Sequence, residues 1–281
     1  MRRLASFGGR AVARFSGSLL LAMASLALTA GAASAAISAH GQLLKIAPSS
    51  RLNANQSTNW FGYDQGALEQ GGKLFNSITG DWTVPTPSLH TANQDEASSD
   101  WIGIGGGCVD ANCTASDPTL IQTGTEQDVA ANGTKSISAW YELVPAPSIQ
   151  ITNMNVSPGD QMNASVSEVV ADANLWTITI KDVTTGQSFT TTVPYASTHG
   201  TAEWIEETPL VLGTNAGFAA LPNLTNPHFV SGTVNGSPVK LTPSEEIDLV
   251  DSGGSVIGAP SAPNATADGF GACAWATTCT P

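Results

Sequence analysis

The sequence predicts an all-β sandwich, and three observations carry that prediction. Short runs rich in Val, Ile, Thr and Trp alternate apolar and polar residues. Gly, Pro, Asn and Ser interrupt those runs at even spacing. No stretch of the 281 residues keeps a helical apolar spacing for three turns. The candidate strands, in order, are Trp60–Tyr63, Phe75–Val84, Trp101–Ile104, Leu120–Glu126, Ile137–Leu143 and Gln161–Val170. They continue with Leu175–Asp182, Ser188–Val193, Ala202–Glu206, His228–Val234, Glu246–Val250 and Gly269–Trp275. Thr184-Thr185-Gly186-Gln187 separates two alternating runs and reads as a hairpin turn. About 220 residues of such strands, with no internal repeat, are enough for one sandwich with a proper core.

The chain begins with a different texture. Arg2, Arg3, Arg10 and Arg14 precede an apolar run from Leu19 to Ala30, and Ala33-Ser34-Ala35 offers a small-residue cleavage pattern. Residues 1–35 therefore read as a secretory signal peptide, and the apolar run is short for a bilayer span of ~20 residues. Residues 36–58 are polar and aperiodic, a propeptide or an N-terminal arm, and 59–281 form the sandwich domain. Without its first 35 residues the chain keeps six basic residues against 23 acidic ones, a net charge of −17. Such a surface repels nucleic acid and anionic membranes. It suits an acidic medium, where protonation relieves self-repulsion. The expected product is secreted, monomeric and independent of membranes.

The cysteines fall into two close pairs, Cys108/Cys113 and Cys273/Cys279. Export favours two small-loop disulfides, and neither pair has the Cys-x-x-Cys-like spacing of a zinc site. Disulfide pairing also consumes the thiols as nucleophiles. The sequence has no Gly-x-Ser-x-Gly elbow, and His40, His90, His199 and His228 sit in ordinary loop-like settings with no partner motif. No His-x-x-x-His or comparable metal cluster occurs, so neither a metal nor another cofactor is expected.

What remains is carboxylate chemistry. Leu120-Ile121-Gln122-Thr123-Gly124 sets a carboxamide among apolar neighbours, and Ala202-Glu203-Trp204-Ile205-Glu206-Glu207 does the same with a carboxylate. Strand alternation puts Glu203, Ile205 and Glu207 on one face and Trp204 and Glu206 on the other. Asp251-Ser252-Gly253 has the look of an aspartic peptidase motif, but that chemistry needs a second copy and the chain has none. The competing strand is Glu246-Ile247-Asp248-Leu249-Val250-Asp251, which resembles the Glu-x-Asp-x-x-Glu strand of jelly-roll β-glucan hydrolases, with Asp251 a methylene short. A non-catalytic, sugar-binding sandwich is the third reading.

Six motifs in order resemble the glutamic peptidases, or eqolisins. They are Asn59-Trp60-x-Gly62, Trp82-Thr83-Val84-Pro85, Trp101-Ile102-Gly103-Ile104-Gly105-Gly106, Leu120-Ile121-Gln122-Thr123-Gly124, Ala139-Trp140-Tyr141-Glu142 and Ala202-Glu203-Trp204-Ile205-Glu206-Glu207. The resemblance spans roughly 59–260. It implies a concanavalin-like, jelly-roll sandwich of two antiparallel sheets, with polypeptide substrates crossing the concave face of one. The family's catalytic pair falls on Gln122 and Glu207. The family often has Asp where this chain has Gly105. In the implied reaction Glu207 activates a water as general base and then returns the proton to the leaving amine, while Gln122 stabilises the oxyanion. Trp60, Trp101, Trp140, Glu142 and Glu203 are the expected substrate-side residues.

Overall fold

The computed structural model describes residues 37–38, 41–44, 51–212 and 216–280, with side chains from residue 52 onward. The signal-peptide stretch 1–35 and His40 lie outside the described residues.

Thirteen strands make up the sandwich. They are β1 (Trp60–Gly66), β2 (Ser77–Thr83), β3 (Glu96–Ile104), β4 (Leu120–Val129), β5 (Lys135–Val144), β6 (Gln161–Glu168) and β7 (Leu175–Asp182). The remainder are β8 (Ser188–Pro194), β9 (Thr201–Glu207), β10 (His228–Val234), β11 (Glu246–Val250), β12 (Val256–Pro260) and β13 (Phe270–Ala274). The front sheet runs β11-β1-β9-β3-β4-β5 and the back sheet β8-β7-β6-β2-β10, all antiparallel. Along one side β11 pairs with β12, β12 with β13 and β13 with β10, which stitches the sheets together. Among the described residues the helical content is one 3-10 turn, Pro243–Glu245.

Each predicted strand has its counterpart, the observed one differing by a few residues at its ends. The 184–187 turn joins β7 to β8, with Gly186 at φ +79° and Asp182 N–H donating to the Gln187 carbonyl at 2.9 Å. β12 escapes the sequence pattern because Val256-Ile257 is followed by Gly258, Ala259 and Pro260, which carry little alternation.

The space between the sheets is filled by Phe61, Tyr63, Ile102, Ile104 and Trp204 of the front sheet and Ile78, Trp82, Met162, Val166 and Ile178 of the back sheet. Buried indoles need an acceptor. Trp204 Nε1 donates across the sandwich to the Thr79 carbonyl at 2.9 Å, and Trp82 Nε1 answers in the opposite direction to Thr125 Oγ1 at 3.0 Å. Both cysteine pairs are disulfides: Cys108–Cys113 closes the loop between β3 and β4, and Cys273–Cys279 ties the end of β13 to the C-terminal segment.

Gly62 sits within β1 opposite Ile205 of β9 at φ +142°. A Cβ there would lie 2.2 Å from the Trp204 carbonyl oxygen, against backbone that cannot move without unzipping β9. Gly62→Ala should therefore lower unfolding free energy by about 2 kcal/mol or more, read from urea denaturation, whereas glycine-to-alanine on an unstrained strand is neutral or better.

Candidate active site

In an antiparallel sheet, directly opposed residues share a face and successive residues alternate. That rule assembles the site on the front sheet. Gln122 on β4 stands opposite Gly103 on β3, and Gly103 stands opposite Glu203 on β9. Glu203 and Glu207 are four residues apart on one strand, so Gln122 and Glu207 face the same way. Glu142 on β5 is the other neighbour of Gln122, and Asp64 on β1 the other neighbour of Glu203. One row of the sheet thus reads Glu142, Gln122, Gly103, Glu203, Asp64. Two steps along, a second row reads Trp60, Glu207, Ser99, Glu126.

Trp101 and Trp140 lie in the row between these two, and with Trp60 they make a tryptophan floor. Trp60, Trp101 and Trp140 pack with Leu120, Ile205 and Ile247 in a cluster separate from the inter-sheet core. Trp60 meets Trp101 edge to face at 4.8 Å. Trp101 Nε1 donates to Glu207 Oε2 at 2.8 Å, and Asn59 Nδ2 approaches Oε1 at 3.4 Å. Both donors favour the ionised carboxylate. Trp140 Nε1 donates to Ser99 Oγ at 3.0 Å.

The Gln122 carboxamide is oriented from the side: its Nε2 donates to Glu142 Oε2 at 2.7 Å. On its other flank Gly103 leaves close quarters, where a side chain would press on its neighbours. A Cβ on Gly103 would lie 3.0 Å from the Trp101 ring and 3.1 Å from Gln122 Cβ. Gln122, Glu142, Glu203 and Glu207 are all fully buried in the whole chain.

The sequence-predicted residues sort as follows. Gln122, Glu207, Glu142, Glu203, Trp60, Trp101 and Trp140 come together on one face. The three tryptophans are buried as its floor, with Trp101 hydrogen-bonded to Glu207. Glu206 points away from them, into the space between the sheets, opposite Asp100. Glu246, Asp248 and Asp251 do not join the site. Ile247 shares the tryptophan cluster, so Glu246 and Asp248 project to the other side, where they line a small polar pocket with Asn55 and Ser244. Asp251 closes its own turn, accepting from Gly253 and Ser255 N–H at 2.8 and 2.9 Å. Glu246 and Asp248 share that pocket, but Asp251 is held in its own turn, so the three carboxylates of the sugar-hydrolase reading do not converge.

Gly105 has a local reason to be glycine: at φ +97° its Cβ would fall 2.0 Å from the Thr119 carbonyl oxygen. His199 and His90 serve structure. His199 lies 3.2 Å from Glu168 and against Trp176, and His90 stacks on Trp275. Among the described residues no cluster of His, Cys, Asp and Glu could hold a metal ion. Asn59 and Asp100 were not anticipated as neighbours of the site. Asn59 opens a recognised motif, but only the fold reveals that its amide turns toward a strand nearly 150 residues away.

The antiparallel β-sandwich and the face it builds gather the residues that the resemblance to the glutamic peptidases singled out, Gln122, Glu142, Glu203 and Glu207. The chain belongs to the peptidase A4 family, whose model matches residues 58–267. Among curated proteins it is similar to aspergillopepsin-2 of Aspergillus niger, 26% identical over 176 residues, 55% of this chain and 57% of that protein. It is also similar to scytalidopepsin B of Scytalidium lignicola, 30% identical over 147 residues, 51% and 48% of the two chains. The matched stretch spans about half the length of these relatives. In fold it is similar to scytalido-glutamic peptidase bound to a peptide-based transition-state analogue, with TM-score 0.60 and 21% identity over 77% of this chain and 98% of that one. Aspergilloglutamic peptidase from Aspergillus niger superposes with TM-score 0.52 and 24% identity, over 64% and 99%.

Trp101→Phe keeps a ring in the floor but removes the Nε1 donor to Glu207. Loss of a donor to the charged form raises a carboxyl pKa. The acid limb of the activity profile should move to higher pH, by about one unit for a bond worth ~1.5 kcal/mol. An unmoved limb would show that the indole does not act on Glu207.

Proposed function

We propose that the protein is a secreted acid endopeptidase that hydrolyses peptide bonds with Gln122 and Glu207. The observation that carries this reading is the placement of both side chains on one sheet face, each with its own orienting partner. Ionised Glu207, held by Trp101, takes a proton from a water poised against the substrate carbonyl. The water attacks, and one Nε2 hydrogen of Gln122 bonds the developing oxyanion while the other holds to Glu142. Glu207 then delivers its proton to the departing amine, so the acid and base steps use one carboxyl and no covalent intermediate forms. A carboxamide donates at any acid pH because it does not titrate, which suits a chain whose pI is about 4.4. Secretion is supported by the signal-like first 35 residues and by the two disulfides.

The N-terminal arm enters the same reading. Gly41–Leu44 forms a strand whose Leu43 and Leu44 pair with Val211 and Leu210, which lie just beyond Glu207 in the chain. In the full chain both catalytic candidates are buried. Residues 36–58 are therefore proposed as a segment whose removal opens the face to substrate.

Three assays test this. A chain beginning at Asn59 should digest denatured protein at pH 2 to 6, unaffected by pepstatin or chelator, and the full-length chain should be slower. Glu207→Gln should abolish that activity without unfolding the protein, and full activity in this variant would overturn the assignment. Gln122→Ala should cost on the order of 10²–10³ in kcat, the range seen for a lost oxyanion donor.

A further inference from the structure

Directly behind the catalytic candidates lies a second pair of carboxyl groups. Glu206 precedes Glu207 and Asp100 precedes Trp101, so both point from the front sheet into the sandwich, where they stand opposite each other across β9 and β3. Neither has any exposed surface. Asp100 Oδ2 accepts from Gln127 Nε2 at 2.9 Å, and Gln127 is fixed in turn by Ser98 Oγ at 3.2 Å and Thr125 Oγ1 at 3.1 Å. Asp100 Oδ1 finds no donor in the structure, and Glu206 is approached only by the Ser98 hydroxyl and the Ser99 backbone.

The groups that face the pair are uncharged. β1 presents Phe61 opposite Glu206, and β4 presents Thr125 and Gln127. The back sheet turns Ile78, Gly80 and Trp82 of β2 and Met162, Ala164 and Val166 of β6 inward, none ionisable. On the same face of β3, Glu96 is engaged by the His90 and Thr91 backbone amides at 2.7 Å each. Neutral donors reach each carboxyl from Gln127 and from Ser98 and Ser99, but two ionised carboxylates here would face each other with no cation to offset their repulsion. One proton converts that repulsion into an O–H···O bond.

We propose that Asp100 and Glu206 share one proton and form a positioning clamp that holds β3 against β9, and with them Trp101 against Glu207, for as long as that proton is retained. Burial, then the charge of Glu206, push Asp100 well above the ordinary carboxylate range, and burial pushes Glu206 up as well. In the unfolded chain both titrate near 4. Between that pH and the raised native values the folded state binds more protons than the unfolded state. Stability therefore falls as pH rises through that window and is fully present below it. The clamp makes the fold itself acid-dependent, separately from the titration of Glu207. It rests on the Gln122/Glu207 reading only where activity is the readout.

The test is the double variant D100N/E206Q, which keeps shape and hydrogen-bonding groups but cannot ionise. Its thermal midpoint should change less between pH 4 and 8 than that of the parent. The alkaline limit of its kcat/KM should move up by about one pH unit or more, with activity near pH 4 within a few-fold of the parent. A folded variant whose stability follows pH as the parent does would overturn the clamp. A flattened stability curve in a protein that cleaves no peptide would uphold the clamp and reject the peptidase reading. Should the variant fail to fold, the infrared band of protonated carboxyl groups decides in an E245Q/E246Q/D248N background, because burial also pushes Glu245 up to about 7 and raises Glu246 and Asp248. A carboxyl band persisting above pH 7 supports the shared proton, and its absence rejects it.

Discussion

The structure depends on the register of three neighbouring strands, β9, β3 and β4. Because side chains alternate and opposed residues share a face, that register puts Glu207, Trp101, Gly103 and Gln122 all on the outer face, with Gln122 level with Glu203 and Glu207 four residues further along β9. The same register sends Glu206 and Asp100 inward. A slip of one residue in β9 would exchange the two carboxyl sets, placing Glu207 in the core and Glu206 over the tryptophan floor. The fold guards against this with features that tolerate no slip. Gly62 must lie under the Trp204 carbonyl, Gly103 must leave space beside Gln122, and Trp204 must reach Thr79 in the opposite sheet.

The outer face also shows how a buried hydrogen bond serves chemistry. An indole N–H is a donor that cannot accept or titrate, so Trp101 favours the charged form of Glu207 over the neutral one. Glu142 does the complementary work on Gln122, fixing which way the carboxamide points. In the proposed reaction both groups are oriented by neighbours on the same face, Glu142 for Gln122 and Trp101 with Asn59 for Glu207.

Much of this was legible in the sequence. Alternation within Ala202–Glu207 separates Glu207 from Glu206 before any fold is known, because the period of a strand is two. The same reasoning gave the strands and the hairpin at 184–187. Long-range pairing was not legible. Nothing local to Asp100 or Glu206 announces that residues about a hundred positions apart will stand opposite each other in the core. Nor does Asn59 announce that it will approach Glu207. The tryptophans were expected to line a substrate face; their packing as a buried cluster depends on Leu120, Ile205 and Ile247 arriving from three other strands. Gly105, which departs from the family pattern, is explained only once Thr119 is seen to occupy the space of a side chain.

The central claim is that Gln122 and Glu207 act together on one tetrahedral centre. It is tested most directly by the structure of the chain beginning at Asn59 with a peptide-based transition-state analogue bound. The account predicts the tetrahedral oxygens within hydrogen-bond distance, about 2.6–3.2 Å, of both Gln122 Nε2 and the Glu207 carboxylate. An analogue seated against Glu246 and Asp248, or touching one member of the pair without the other, would contradict it.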